Sequence, residues 1–131
     1  MKLSNNFNLV EFSISATALS KGIDNTVPEV CIPNLFTLCT KILQPLRDHL
    51  GTPIIISSGY RSNELNTAVG GVPTSHHRTG HAADIKVTNQ EKAFNFIKDN
   101  LQFTQLIWYK SRNFLHVSYE AGNLKQEIII S

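Results

Sequence analysis

The sequence predicts a single α+β domain over residues 1–131, in which helices pack on a small, mainly antiparallel sheet. The chain has 131 residues, the length of one ordinary domain, and neither a repeat nor a linker divides it. Apolar residues recur at helical spacing in two segments, and several shorter runs are rich in β-branched and aromatic residues. Because the last three of these runs follow one another without an intervening helix, antiparallel pairing is expected.

The first half of the chain is expected to hold an arm and a long helix. Residues 1–30 are predicted to form an irregular arm with short helical turns. The helix should begin near Pro33, since proline is tolerated in a first turn, and Pro45 should kink it. Gly51 is a stop signal for this helix. Its apolar face consists of Leu35, Leu38, Cys39, Ile42, Leu43 and Leu46.

Short elements alternate in the middle of the chain. The run 53–58 predicts a strand, and residues 62–69 predict a short helix that ends at Gly70-Gly71. Residues 73–80 form a loop, and a strand is expected to return over residues 81–87.

A second long helix precedes the C-terminal strands. Thr88 and Glu91 have the spacing of a capping box. The apolar face of the helix comprises Ala93, Phe94, Ile97 and Leu101. Three strand-like runs follow, at residues 104–109, 114–119 and 124–130. Gly122-Asn123 is expected to turn the chain between the last two of them, so that they pair.

Composition argues against two classes of partner. The formal net charge of +2 is too small for a nucleic-acid groove, and the basic residues are scattered. No run of about 18 apolar residues is present, so no membrane span is expected. The N-terminal segment lacks the continuous apolar stretch of a secretory signal, so the protein is expected to be cytoplasmic in the producing cell. Cys31 and Cys39 are expected to be reduced core residues, because eight residues of helix separate them by about 12 Å.

Histidines cluster in the segment Ser75–Asp84, which has the sequence SHHRTGHAAD. Neutral imidazole and carboxylate are good zinc ligands, and three protein ligands leave a position for water. In a strand that begins at His81, alternate residues face opposite sides, so His81 and Asp84 point apart. The adjacent His76 and His77 are also expected to point apart.

Asp84 lies in an apolar run, where a buried carboxylate must be paired or bind a metal. Two histidines outside the segment could join it: His49, near the end of a helix, and His116, within a predicted strand. A lone histidine in the middle of a strand is more often a satisfied core or surface residue than a ligand. Spacing alone therefore leaves a metal site and a metal-free globular domain as open alternatives.

Short motifs extend through most of the chain. They are Ser57-Ser58-Gly59-Tyr60-Arg61-Ser62, Leu65-Asn66, Val69-Gly70-Gly71, Ser75-x-His77-x-x-Gly80-x-Ala82-x-Asp84 and His116-Val117. With the N-terminal Leu3-Ser4-x-Asn6-Phe7, this pattern resembles the zinc D-Ala-D-Ala carboxypeptidases, in particular their compact branch with phage endolysins. The resemblance implies the family fold, a small antiparallel sheet with helices packed on it.

The resemblance also implies roles for individual residues. Three positions match the zinc ligands: His77, Asp84 and His116. Arg61 matches the arginine that contacts substrate and steadies the oxyanion, and Ser75 matches a serine in the substrate pocket. His76 and His81 fall on variable positions of the motif, and they are expected to face solvent or to lie behind the ligands.

The position that usually holds the general base departs from the family pattern. Three residues before the last zinc histidine, where the resemblance implies an acidic residue, the chain has Asn113. Asparagine cannot accept a proton at neutral pH, although it can orient a water by hydrogen bonding. The other candidates are His81 and Glu120, which lies roughly 13 Å from His116 along an extended strand.

The expected activity is that of a zinc-dependent peptidase acting on D-Ala-containing stem peptides or cross-links of peptidoglycan. As a phage endolysin, such a monomeric protein would reach the cell wall after holin-type release. The residues do not decide between carboxypeptidase and endopeptidase action, and two histidines and a carboxylate can hold several transition metals. Because Asn113 replaces the acid, the alternative is a catalytically impaired, zinc-stabilised domain that binds cell-wall peptides.

Overall fold

The N-terminal segment is more regular than an arm. The computed structural model describes residues 1–131. The segment contains four elements: β1 (Lys2–Ser4), β2 (Phe7–Asn8), a 3-10 turn (Leu9–Phe12) and α1 (Ala16–Lys21). The predicted helical turns are present, but β1 and β2 also form an antiparallel hairpin that was not expected. Leu3, Phe7 and Phe12 are buried in the main core, so hydrophobic burial holds the segment against the domain.

Four more helices follow α1, and none of the helices is long and apolar enough to cross a membrane. They are α2 (Ile32–Leu38), α3 (Gln44–Leu50), α4 (Asn63–Ala68) and α5 (Gln90–Asn100). The capping box expected at Thr88 is wrong by one residue. Asn89 is the N-cap of α5, and its side chain accepts a hydrogen bond from the backbone N–H of Lys92. This is the usual capping chemistry of a short polar side chain.

The long helix predicted from Pro33 is divided in two. A π-helical turn at Cys39–Leu43 separates α2 from α3. Pro45 lacks a backbone N–H, and its ring crowds the carbonyl of the preceding turn, so the wider turn accommodates it. Gly51 ends α3 with a φ of 67°, as predicted. Both cysteines are free and buried, which agrees with the sequence analysis.

The main sheet has five strands. They are β3 (Ile55–Ser58), β4 (Ala82–Lys86), β5 (Gln105–Tyr109), β6 (Phe114–Ser118) and β7 (Glu127–Ile130). Their order is β3-β4-β6-β5-β7, and all pairs are antiparallel except β5 with β7. The predicted α+β class with a mainly antiparallel sheet is confirmed.

The last strand does not pair as expected from Gly122-Asn123. Strand β7 is parallel to β5 and is not a neighbour of β6. Both edges of β6 are already occupied, by β4 on one side and β5 on the other, so β7 pairs with the outer edge of β5 instead. Gln126 leads the chain to this edge, because its backbone N–H donates to the carbonyl of Phe103.

The two faces of the sheet have different environments. Ala83, Ile85, Leu115 and Val117 are fully buried in the core. Their sequence neighbours on the same strands, among them Asp84 and His116, point to the opposite face because side chains alternate along a strand. Strands β4 and β6 therefore hold the domain together on one face and present polar side chains on the other.

Candidate metal centre

Asp84 and His116 are brought together by strand register. They are direct partners on the antiparallel strands β4 and β6. Side chains of such partners lie on the same face about 5 Å apart at Cβ. The Nδ1 atom of His116 is 2.9 Å from Oδ1 of Asp84. The sheet itself therefore fixes two of the three residues predicted to bind metal.

His77 reaches the same carboxylate from the 3-10 turn His76–Thr79. The hydroxyl of Ser75 accepts a hydrogen bond from the backbone N–H of His77, and Gly80 ends the turn with a φ of 80°. The Nδ1 atom of His77 is 2.7 Å from the carbonyl oxygen of Gly59. Since a carbonyl only accepts, Nδ1 carries the proton and the lone pair is on Nε2.

The carboxylate of Asp84 lies between the two imidazoles. Nε2 of His77 is 3.3 Å from Oδ1 of Asp84, and the residue as a whole is only 8% exposed. Burial alone would raise the pKa of Asp84, but the contacts with His116 and His77 outweigh burial and lower that pKa. The carboxylate is therefore ionised, which is the form that binds a cation.

These three residues have the chemistry of a metal site. Their ligand atoms all lie within 4.8 Å of one another, and no other group of three or more histidine, cysteine or acidic residues in the chain does so. Two imidazoles and one carboxylate are a common donor set for catalytic zinc. The contact of His77 with Gly59 is the type of outer hydrogen bond that orients a metal-binding histidine. His77, Asp84 and His116 thus fit a divalent transition metal.

Arg61 lies beside the cluster, and three other side chains contact its guanidinium. Its guanidinium is 3.5 Å from Oδ2 of Asp84, on the opposite side of the carboxylate from the histidines. Its Nε donates to the hydroxyl of Ser58, and its Nη1 donates to Oδ1 of Asn66. Burial lowers the pKa of Arg61, while Asp84 raises it. Arg61 is therefore a fixed cation next to the cluster, as its expected role requires.

Asn66 belongs to the Leu65-Asn66 motif, but the sequence analysis assigned it no role. It is 3% exposed, its amide donates to the carbonyl of Val72, and its Oδ1 accepts from Arg61. A Cβ at Gly71 would collide with this same oxygen, which explains why a glycine follows the helix. The detectable signal was an asparagine on the inward face of α4, five residues after Arg61.

A cleft of about 520 Å³ opens above the cluster. The loop after α4, including Val72, forms one wall, and the β5–β6 hairpin forms the other with Tyr109, Arg112 and Phe114. A cleft of this volume is in the range of small-ligand sites, roughly 300–1,000 Å³. Asp84 is the only acidic residue that lines it. The cleft is therefore large enough for a short peptide, and its lining holds two arginines, Arg61 and Arg112, against this one acid.

The remaining predicted site residues differ in whether they line the cleft. Ser75 and Arg61 line the cleft. Asn113 does not; it ends a 3-10 turn at Lys110–Arg112 with a φ of 59°, and it is exposed. Glu120 is also outside the cleft lining, and its Oε1 is 3.7 Å from Nε2 of His76.

The region behind the cleft holds the other candidate base. Nδ1 of His81 is 2.6 Å from the hydroxyl of Thr79, and burial lowers the pKa of His81. A hydrogen bond from Asn123 lowers the pKa of Glu120. His76 alone of these residues lines the cleft, and the sequence analysis had placed it in solvent or behind the ligands.

Comparison with known proteins identifies related sequences. The family model described as Peptidase M15 matches residues 5–118. A zinc D-Ala-D-Ala carboxypeptidase of Streptomyces albus G is 43% identical over 49 residues, which cover 37% of this chain. The match covers 19% of the length of that relative.

Proposed function

Because the chain belongs to the peptidase M15 family, we propose that it is a zinc-dependent peptidase that hydrolyses D-Ala-containing peptides of peptidoglycan. The observation that carries the proposal is the convergence of His77, Asp84 and His116 beneath an open cleft. Hydrolases of this type need three protein ligands and an open ligand position above them. The carboxypeptidase of Streptomyces albus G supports both the metal and the substrate class.

The three ligands would hold the ion in a defined position. His77 would bind it through Nε2, because Nδ1 is bonded to Gly59. Asp84 contributes its ionised carboxylate, and His116 contributes an imidazole from the adjacent strand. When bound, zinc polarises the scissile carbonyl and lowers the pKa of a bound water.

Arg61 and Ser75 are assigned to the substrate. A guanidinium stays charged throughout a reaction, so Arg61 stabilises the negative charge that develops on the carbonyl oxygen. Its bonds to Ser58 and Asn66 keep it in place without reorganisation. Ser75 lines the cleft next to His77, where its hydroxyl can also contact the peptide.

We assign acceptance of the water proton to His76, the one of the three residues His76, His81 and Glu120 that lines the cleft. Oε1 of Glu120 is 3.7 Å from Nε2 of His76, and the ring centroid of His81 is 5.9 Å from that of His76, so both residues are close enough to influence it. Asn113 acts through the backbone: its left-handed conformation closes the turn that carries Arg112. Asparagine is one of the residues that adopt this conformation at low cost.

One observation favours a second function. Apart from the metal-ligand candidate Asp84, no acidic side chain lines the cleft. A domain of this kind could hold zinc and bind cell-wall peptides without turning them over.

The peptidase is further proposed to be a phage lytic enzyme. The test is lysis of permeabilised bacteria on addition of the zinc-loaded protein.

The main experiment measures release of free D-alanine and of new amines from purified peptidoglycan. We expect release by the zinc-loaded protein, loss of release after chelation, and recovery when zinc is returned. Binding of wall peptides without release, across several wall types, would replace the peptidase with the binding domain. Absence of bound zinc in native mass spectrometry would reject both.

A further inference from the structure

Arg112 occupies a defined place on the wall of the cleft. It lies in the 3-10 turn between β5 and β6, and it is one of the cleft-lining residues. Its guanidinium carbon is 5.5 Å from the ring centroid of Tyr109 and 5.1 Å from that of Phe114. These two rings are stacked on each other at 4.6 Å. Aromatic faces attract a guanidinium, so they position Arg112 without using its N–H groups.

The N–H donors of Arg112 have no partner in the protein. None of the ion pairs of the chain includes it, and its side chain donates no hydrogen bond. Arg61 differs in this respect, since Asp84, Ser58 and Asn66 engage its guanidinium. Arg112 is therefore the cleft arginine whose planar fork is free to accept a carboxylate in a bidentate manner.

The position of Arg112 relative to the metal ligands determines which part of a bound peptide its guanidinium can contact. Phe114 and His116 face the same side of β6, and residues two apart on a strand are roughly 7 Å apart. The guanidinium carbon of Arg112 is 5.1 Å from the ring centroid of Phe114, and Arg112, Phe114 and His116 all line the same cleft. One residue of extended peptide spans roughly 3.5 Å from the scissile bond. The long side chain of Arg112 can bridge the remaining distance to the carboxylate of that residue.

We propose that Arg112 binds the carboxylate of the residue that follows the scissile bond, so that the enzyme prefers a free C-terminal carboxylate and acts as a carboxypeptidase. The inference rests on the proposed peptidase function and makes its substrate class specific. A carboxylate on a side chain of the stem peptide offers the same chemistry to the guanidinium. The experiment therefore has to separate a terminal carboxylate from a side-chain carboxylate.

The test compares matched peptides that end in D-Ala-D-Ala, as the free acid or as the C-terminal amide. Each is made with and without an acidic side chain upstream. Zinc-loaded wild type is measured beside Arg112→Gln and Arg112→Lys. The control is Lys110→Gln, which removes a cation from the same turn; Lys110 lies over Trp108 at 4.5 Å and does not line the cleft.

We expect kcat/KM of wild type for the acid to exceed that for the amide about ten- to hundredfold, the usual range for one charged hydrogen-bonded pair. Arg112→Gln should remove this preference by raising KM for the acid, and Arg112→Lys should restore only part of it. Lys110→Gln should keep the preference. Equal loss for acid and amide in Arg112→Gln would overturn the proposal, and loss that follows the upstream acid would assign Arg112 to the side-chain carboxylate.

A binding measurement separates this proposal from the proposed function. Calorimetric titration of the zinc-loaded proteins with N-acetyl-D-alanine and with N-acetyl-D-alaninamide requires no turnover. We expect wild type to bind the acid more tightly and Arg112→Gln to lose the difference. If this difference is found and no peptide is cleaved, the peptidase assignment fails while Arg112 remains a carboxylate site. If peptides are cleaved and the difference is absent, the role of Arg112 is rejected alone.

Discussion

The floor of the cleft, formed by His77, Asp84 and His116, is built differently from its rim, formed by His76 and Arg112. On the floor, the carboxylate contacts two imidazoles at 2.9 and 3.3 Å, and strand register or a backbone carbonyl orients each histidine. At the rim, Arg112 is exposed and held only by ring faces. His76 contacts Glu120 at 3.7 Å, beyond ordinary hydrogen-bond length.

This difference matches two separate tasks. A metal site requires ligands held within about 0.5 Å of their productive positions, which paired strands can provide. Recognition of a substrate tolerates side chains that adjust on binding, and such residues commonly lie on turns carried by a rigid scaffold. The comparison therefore predicts that changes on the floor abolish function, and that changes at the rim alter its selectivity or rate.

The largest effect is expected for His116→Ala. Removal of one imidazole leaves two ligands, so we expect loss of stoichiometric zinc in native mass spectrometry and no measurable release of D-alanine. The matched control is His49→Ala, because His49 stacks on Phe96 at 4.1 Å, far along the chain from the cluster. Full activity of His116→Ala with zinc still bound would remove His116 from the metal site.

Arg61 is expected to give the next largest effect. Arg61→Ala should reduce kcat about 10²- to 10³-fold, the usual result of removing one donor to a developing oxyanion. Arg61→Lys keeps the charge but loses the bonds to Ser58 and Asn66, so we expect partial recovery. Zinc content, measured in parallel, should remain at one ion per chain. A loss of zinc equal to the loss of activity would place Arg61 in the support of Asp84 instead.

The floor was only partly predictable from the residues, because some of its constraints are local and one is not. Alternation along β4 places Asp84 on the face opposite to Ala83 and Ile85, although His81 precedes this strand and did not start it as expected. His116 interrupts an apolar strand, where a polar residue needs a reason. The register that places Asp84 opposite His116 was not derivable from either strand alone. The resemblance supplied that pairing, and the sheet then explains it.

The rim was not predictable, because its side chains are positioned by the backbone conformation of turns. The 3-10 turn at Lys110–Arg112 and the positive φ of Asn113 direct Arg112 into the cleft, and neither follows from hydrophobic periodicity. Likewise, the pairing of β7 with β5 depends on which sheet edge is free. A basic residue between two aromatic residues, Tyr109 and Phe114, was the available signal for Arg112.

The smallest effect is expected for Glu120→Gln, which tests whether the rim only positions groups. The side chain of Glu120 is 37% exposed. A half-exposed contact of this length contributes at most about 1 kcal/mol even between two charged groups, so the loss in kcat should stay within about fivefold. If Glu120 itself accepted the proton, the loss would reach about 10²- to 10⁴-fold. Glu91→Gln, an exposed acid in the first turn of α5, is the matched control and should be unchanged. Rate measurements on the two variants with the same peptide therefore decide whether Glu120 accepts the proton itself or only lies beside His76, where the proton is accepted.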